Sequence, residues 1–257
     1  MGAFGIVAII YALISYYSAG KITLAVARAK AIKKSDHPKL YRIVENLSIA
    51  AGMPTPKIYL INDSALNAFA TGRSPEHASV AITKGLLDQL DKAELEGVMA
   101  HELSHVKNYD IRLQSVTVAL IGLIVLVSDI FLRSMFYGRR RRTSNSKGNA
   151  AFMLIGIVLA ILTPIIAKIM HLAISRQREY LADASGALLT RYPEGLARAL
   201  EKIKADHEPL EVANKATAHM YIENPLRNEK GGKWLNNLFA SHPNTDDRIK
   251  RLRKMGV

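Results

Sequence analysis

His101 and His105 stand four residues apart, with Glu102 directly after the first, in the run Ala-His-Glu-Leu-Ser-His at 100–105. On a helix that spacing puts both imidazoles on one face, one turn apart, where they can share a tetrahedral metal ion. Glu102 then falls beside the metal's open position, placed to take a proton from water there. Two histidines leave a catalytic zinc one protein ligand short. The third has to come from another element. Glu179 is the choice, because it lies in a helical run with a second acid, Asp183, one turn further on. The ordinary alternative for an isolated glutamate is a helix-surface charge, and only its company argues otherwise.

The chain has no cysteine, which removes disulfides and thiolate ligands and leaves any zinc, one ion per chain, to histidine and carboxylate. Its 257 residues suffice for one large domain or two modest ones with a real core. Lys and Arg number 35 against 22 Asp and Glu, a net charge of +13. Such a balance points to a polyanionic neighbour, either nucleic acid or an anionic membrane surface. The hydropathy pattern favours the membrane. Arg139–Arg142 has neither interleaved aromatics nor a binding fold around it, so nucleic acid is not an expected partner.

The elements that must position these residues follow from the pattern. Residues 1–20 carry no charge, close to the length of a membrane-crossing helix, and read as an N-terminal transmembrane anchor. Tyr16 and Tyr17 suit its interfacial end, and Lys21, Arg28, Lys30, Lys33 and Lys34 put the following chain in the cytoplasm. Residues 21–115 read as the first part of a catalytic domain. Leu40, Ile43, Val44 and Leu47 predict a helix capped by Asp36 and ended by Gly52 and Pro54. Lys57–Ile61, Asn67–Ala70 and Ser79–Thr83 read as three short strands of an antiparallel sheet, with a turn at 71–75. Asp91 to Glu94 forms a capping-box start for the histidine helix, with Leu95, Val98 and Leu103 on its core face.

Two apolar segments follow, Val116–Leu132 and Ala150–Met170, which predict a membrane-embedded or membrane-associated hairpin over 116–170. Arg133, Arg139–Arg142 and Lys147 crowd its link, and Asp129 lies inside its first arm. Three arrangements stay open: the pair crosses the bilayer, dips in and returns, or packs on the soluble part. Residues 171–257 read as the second part of the catalytic domain. They hold an amphipathic helix after Pro193 and a last helix capped by Thr245, acidic at its start and basic at its end.

His-Glu-Leu-Ser-His at 101–105, Glu-Tyr-Leu-Ala-Asp at 179–183, Ser-His-Pro…Arg at 241–248 and Asn-Ala-Phe-Ala-Thr-Gly at 67–72 occur in one chain in family order. From about Asp36 onward the sequence resembles the M48 family of membrane zinc metalloproteases, nearest the HtpX-type quality-control proteases. The resemblance implies His101, His105 and Glu179 as zinc ligands, Glu102 as catalytic base, and Asp183 as an acid that orients a ligand histidine. It also makes His242 the first candidate for the oxyanion donor, ahead of His219 and Tyr180. Arg248 could pair with Glu179 or Asp183, or cap local structure. Asp110 is either an orienting acid or a surface charge. Asn67, Ala68, Phe69 and Ala70 would offer a sheet edge to an extended substrate backbone.

The expected fold is mainly α with a small antiparallel β-sheet, a zincin-like α+β metalloprotease domain, plus membrane-associated helices. The expected function is a plasma-membrane, multi-pass zinc endopeptidase whose catalytic domain cleaves misfolded or membrane proteins at the cytoplasmic face. Its partners would be protein substrates and the lipid bilayer. Family members usually begin with two apolar segments, whereas this chain begins with one, which leaves the N-terminal topology open. A prenyl-protein processing protease is the enzymatic alternative, and the presence of only three apolar segments argues against it. A non-catalytic metal-binding membrane scaffold is the other, and Glu102 argues against that, since a structural site wants a fourth protein ligand.

Overall fold

The computed structural model describes residues 2–117, 176–206 and 243–256, together with 119, 120, 122–124, 156, 158, 208, 210, 221 and 222. Helix α1 (Gly2–Val26) takes in the uncharged N-terminal run and continues past Lys21. Among the described residues no helix is long and apolar enough to cross a membrane. The side chains of residues 2–9, and most of the expected hairpin at 116–170, lie outside the described residues.

Helix α2 (Pro38–Ala51) buries Leu40, Ile43, Val44 and Leu47, the stripe its spacing predicts. Its start differs from expectation. The N-cap is His37, and Pro38 opens the helix, where a missing N–H costs nothing. Asp36 instead accepts a hydrogen bond from the Lys33 N–H at 2.7 Å, closing the preceding turn. At the other end Gly52 takes φ 70°, and the N–H groups of Gly52 and Met53 return to the Ile49 and Ser48 carbonyls.

The sheet holds β1 (Lys30–Ala31), β2 (Lys57–Ile61), β3 (Ala68–Gly72) and β4 (Ala78–Thr83) in the order β1-β2-β4-β3. It is mixed, not antiparallel. β3 and β4 form an antiparallel hairpin, but β4 inserts beside β2 and runs parallel to it, Lys57 opposite Ser79 and Ile61 opposite Thr83. Alternation along a strand reports which face is buried and is blind to which neighbour it pairs with. Gly72 holds the turn at φ 141°, and a Cβ there would lie 2.4 Å from the His77 carbonyl oxygen.

Helix α3 (Lys84–Gln89) leads into α4 (Lys92–Lys107), the centre of the molecule. α5 (Arg176–Thr190) and α6 (Pro193–Ala205) pack against α4, and α7 (Thr245–Met255) packs on α6. One core runs from α2 through the sheet to α4, α6 and α7. A smaller cluster, with Leu24, Ala27, Phe69 and Tyr221, ties the end of α1 to the sheet. Two glycines let the helix backbones close up. A Cβ on Gly97 would meet the Leu196 N at 2.5 Å, and one on Gly186 would meet the His101 N at 3.0 Å. Because backbone cannot swing aside, Gly97→Ala is expected to destabilise the protein by about 1–3 kcal/mol in spite of alanine's better helix propensity. Denaturant unfolding of the purified variant checks this, and an unchanged midpoint would refute it.

Candidate metal centre

The position of α4 is set at its first turn. The Asp91 carboxylate accepts from the Glu94 N–H at 2.9 Å, and the Glu94 carboxylate accepts from the Asp91 N–H at 2.8 Å. This reciprocal box satisfies two orphan donors and fixes where the helix begins. Lys202 of α6 then clamps Glu94 at 2.7 Å. The face of α4 that carries the histidines is buried rather than open to solvent. Every residue from Gly97 to Val106 is buried, including His101, Glu102 and His105. The polar side of α4 faces α5 and Arg248 of α7 rather than solvent.

There the two Nε2 atoms of His101 and His105 lie 3.2 Å apart, with the rings nearly perpendicular. Glu179 reaches in from the first turn of α5, with its carboxylate oxygens 3.6 Å from His101 Nε2 and 3.4 Å from His105 Nε2. Each ring is held from behind by an acid. Asp183 lies 3.0 Å from His101 Nδ1, and Asp110 lies 2.9 Å from His105 Nδ1. A carboxylate accepts, so both Nδ1 atoms donate, and both Nε2 lone pairs turn toward one another and toward Glu179. Facing lone pairs at this separation repel unless a cation lies between them.

Either a proton or a metal ion can fill that role. Burial alone would lower the His105 imidazole, but the Asp110 hydrogen bond and the charges of Glu179, Glu102 and Asp110 outweigh it, raising the ring to about 9. Without metal, His105 therefore carries a proton at neutral pH, and metal uptake must displace it. The donor set fits a metal. His101, His105 and Glu179 each offer one ligand atom, all within 4.8 Å of one another, and a carboxylate lies behind the Nδ1 of each imidazole.

Arginines complete the arrangement. Arg248 is wholly buried and grips Asp183 with two hydrogen bonds, Nε to Oδ2 at 2.9 Å and Nη2 to Oδ1 at 2.8 Å. Its Nη1 also donates to the Ile222 carbonyl at 3.3 Å and lies 3.5 Å from Glu179. Of the options open for Arg248, the structure shows pairing with both acids. Burial alone would raise the Asp183 carboxyl, but Arg248 and His101 bring it down to about 2. On the other side Arg178 hydrogen-bonds Asp110. Arg178 is the residue that sequence reasoning missed, since its partner is 68 positions away and no spacing links them.

Asp110 gets to His105 through a sharp turn. α4 ends at Lys107, Tyr109 takes φ 60° in the left-handed region, and helical backbone resumes at Asp110. That conformation is unfavourable for a bulky residue, and it returns the Asp110 side chain to the ring one turn back. Asp110 is 3% exposed, which no surface charge would be. Asp110→Asn is expected to weaken metal affinity about 10–100-fold. Competition with a fluorescent zinc chelator measures it, and wild-type affinity would show that Asp110 does not orient the ligand.

Other candidates fall as follows. β3 lies at the sheet edge, with Ala68, Phe69 and Ala70 buried and Asn67 just ahead of it. The Ile222 N–H already occupies the Ala68 carbonyl at 3.1 Å. Tyr180 stacks beneath Arg251, whose guanidinium carbon is 3.9 Å from the ring centroid. His242 and His219 lie outside the described residues.

The sequence profile of Peptidase family M48 matches residues 34–256. A Protease HtpX homolog of Dictyoglomus thermophilum is 50% identical over 261 residues, covering 100% of this chain and 84% of the relative. One from Tropheryma whipplei is 47% identical over 247 residues, covering 96% and 82%. Among solved structures, Ste24p of S. mikatae superposes with a TM-score of 0.57 at 22% identity, over 97% of this chain and 57% of that one. That likeness concerns the fold alone, and this chain spans little more than half of Ste24p.

Proposed function

The chain belongs to peptidase family M48 and is a metalloprotease, and from that premise we propose a membrane-bound zinc endopeptidase that cleaves misfolded or membrane proteins at the cytoplasmic face. One observation carries the chemistry: two buried histidines with their Nδ1 atoms tied to acids turn their Nε2 atoms to a third ligand, with Glu102 buried beside them. Zinc, when held by His101, His105 and Glu179, supplies a Lewis acid that polarises the scissile carbonyl and eases deprotonation of water.

The chain's own residues do the rest. Glu102 accepts a proton from the attacking water as its oxygen bonds to the carbonyl carbon. Glu102 then returns that proton to the amide nitrogen as the C–N bond breaks, so one peptide bond and one water become a carboxyl and an amine. Asp183 and Asp110 hold the imidazole rings in one tautomer, and Arg248 and Arg178 hold those acids. His242 is the proposed donor to the oxyanion. The β3 edge is the proposed seat of an extended substrate, beyond Ala68, whose carbonyl is taken.

The membrane reading rests on the uncharged run at 1–20 and the apolar segments of 116–170, and the cytoplasmic orientation rests on the cations from Lys21 to Lys34. On this reading 21–115 and 171–257 are two parts of one catalytic domain interrupted by the hairpin. The test is cleavage of an unfolded protein by the detergent-solubilised full chain. A chelator is expected to abolish it and one equivalent of zinc to restore it. Cleavage that persists after verified metal removal would overturn the proposal.

A further inference from the structure

A cavity of about 270 Å³ separates the C-terminal half of α1 from the end of the sheet, away from the metal centre. Lys21 of α1, Lys57 of β2 and Arg73 just after β3 put three fixed cations on its wall. The carboxylate that lines it, Glu76, is engaged by the Ser74 hydroxyl. The Arg73 guanidinium lies 5.2 Å over the Tyr17 ring, which holds the charge against α1. Thr71 is 1% exposed, and its hydroxyl has no hydrogen-bond partner among the described residues. A buried hydroxyl is normally satisfied, and an anionic oxygen in this cavity would satisfy it.

The cavity has an apolar approach. Ile10, Leu13, Ile14 and Tyr17 are each at least half exposed. They fall at i, i+3, i+4 and i+7, hence on one face of α1. The stripe ends at Tyr17 and Lys21, both of which belong to the cavity wall. Lys21 is also the first charged residue of the chain, the place where a bilayer's phosphate layer meets an anchoring helix. An apolar track running into a cationic cavity matches an amphiphile with a negative head.

We propose that this cavity binds the phosphate headgroup of an anionic phospholipid, with its acyl chains along the Ile10, Leu13 and Ile14 face. The proposal rests on the membrane reading above and goes beyond it, since anchoring alone requires no headgroup preference. Inorganic phosphate shares the head chemistry but lacks the apolar part.

The test uses the delipidated, detergent-solubilised full chain and its thermal unfolding midpoint. Phosphatidylglycerol is expected to raise the midpoint about 5 °C more than phosphatidylcholine does, and inorganic phosphate to do nearly nothing. The K21Q/R73Q variant should lose most of that difference. K39Q/R42Q, which removes the same charge from exposed positions on α2, should keep it. Equal shifts for the two lipids would overturn the proposal, as would full headgroup preference in K21Q/R73Q. A phosphate effect equal to that of phosphatidylglycerol would reduce the site to a simple anion pocket and overturn the lipid assignment. Should K21Q/R73Q not fold, K57Q and R73K provide the graded readout. Recovery of the wild type in the carbonate-washed membrane fraction is a separate measurement. Its failure would sink the membrane reading, whereas membrane recovery without headgroup preference would sink this proposal alone.

Discussion

Glu102→Gln, purified with one zinc per chain, is expected to cleave an unfolded protein at least about 10³-fold more slowly than wild type. The substitution keeps the size and shape of the side chain and removes the basic oxygen. Among the described residues no other acid is placed to take a proton from water: Glu179 is turned to the histidines, and Asp110 and Asp183 lie behind the rings on Nδ1. Glu102 is not among the ligand donors, so metal content should remain near stoichiometric. Its charge helps to hold the proton on metal-free His105. The same charge attracts a dication at least as strongly, so the variant is expected to lose no more than a few-fold in metal affinity. Cleavage within a few-fold of wild type at full metal content would assign the base to another residue.

Glu179→Ala should fail differently. Removing one of three protein ligands leaves two imidazoles, and zinc affinity is expected to fall by about 10³-fold or more, with activity lost in proportion. The fold should survive, because Arg248 keeps both hydrogen bonds to Asp183 and the α4 contacts with α5 and α6 do not depend on Glu179. Metal analysis after dialysis against a weak chelator separates this variant from Glu102→Gln, which should retain its zinc. Near-stoichiometric zinc in Glu179→Ala would mean that another acid supplies the third ligand. Asp183 could do so only by leaving Arg248, and the added Asp183→Asn substitution would expose that.

The sequence determined the local geometry of the centre. A four-residue spacing on a helix places His101 and His105 one turn apart whatever surrounds them, and the Asp91–Glu94 box sets where that helix begins. The same local logic gave α2 its buried face and put Glu179 and Asp183 together. Each of these relations lies within one helix, where geometry follows from residue count.

What only the tertiary structure decided are the relations between elements. Pairing of β4 beside β2 made the sheet mixed, because alternation names a face and not a neighbour. The burial of α4 from Gly97 to Val106 came from α5 and α6 closing on it, through glycines at 97 and 186 that no periodicity identifies as contacts. Asp110 reached His105 Nδ1 through one left-handed residue, Tyr109. Arg178 and Arg248 joined the centre across long stretches of chain. Charges of opposite sign attract at any sequence separation, so which of them meet is decided by packing, and only the packed chain discloses it.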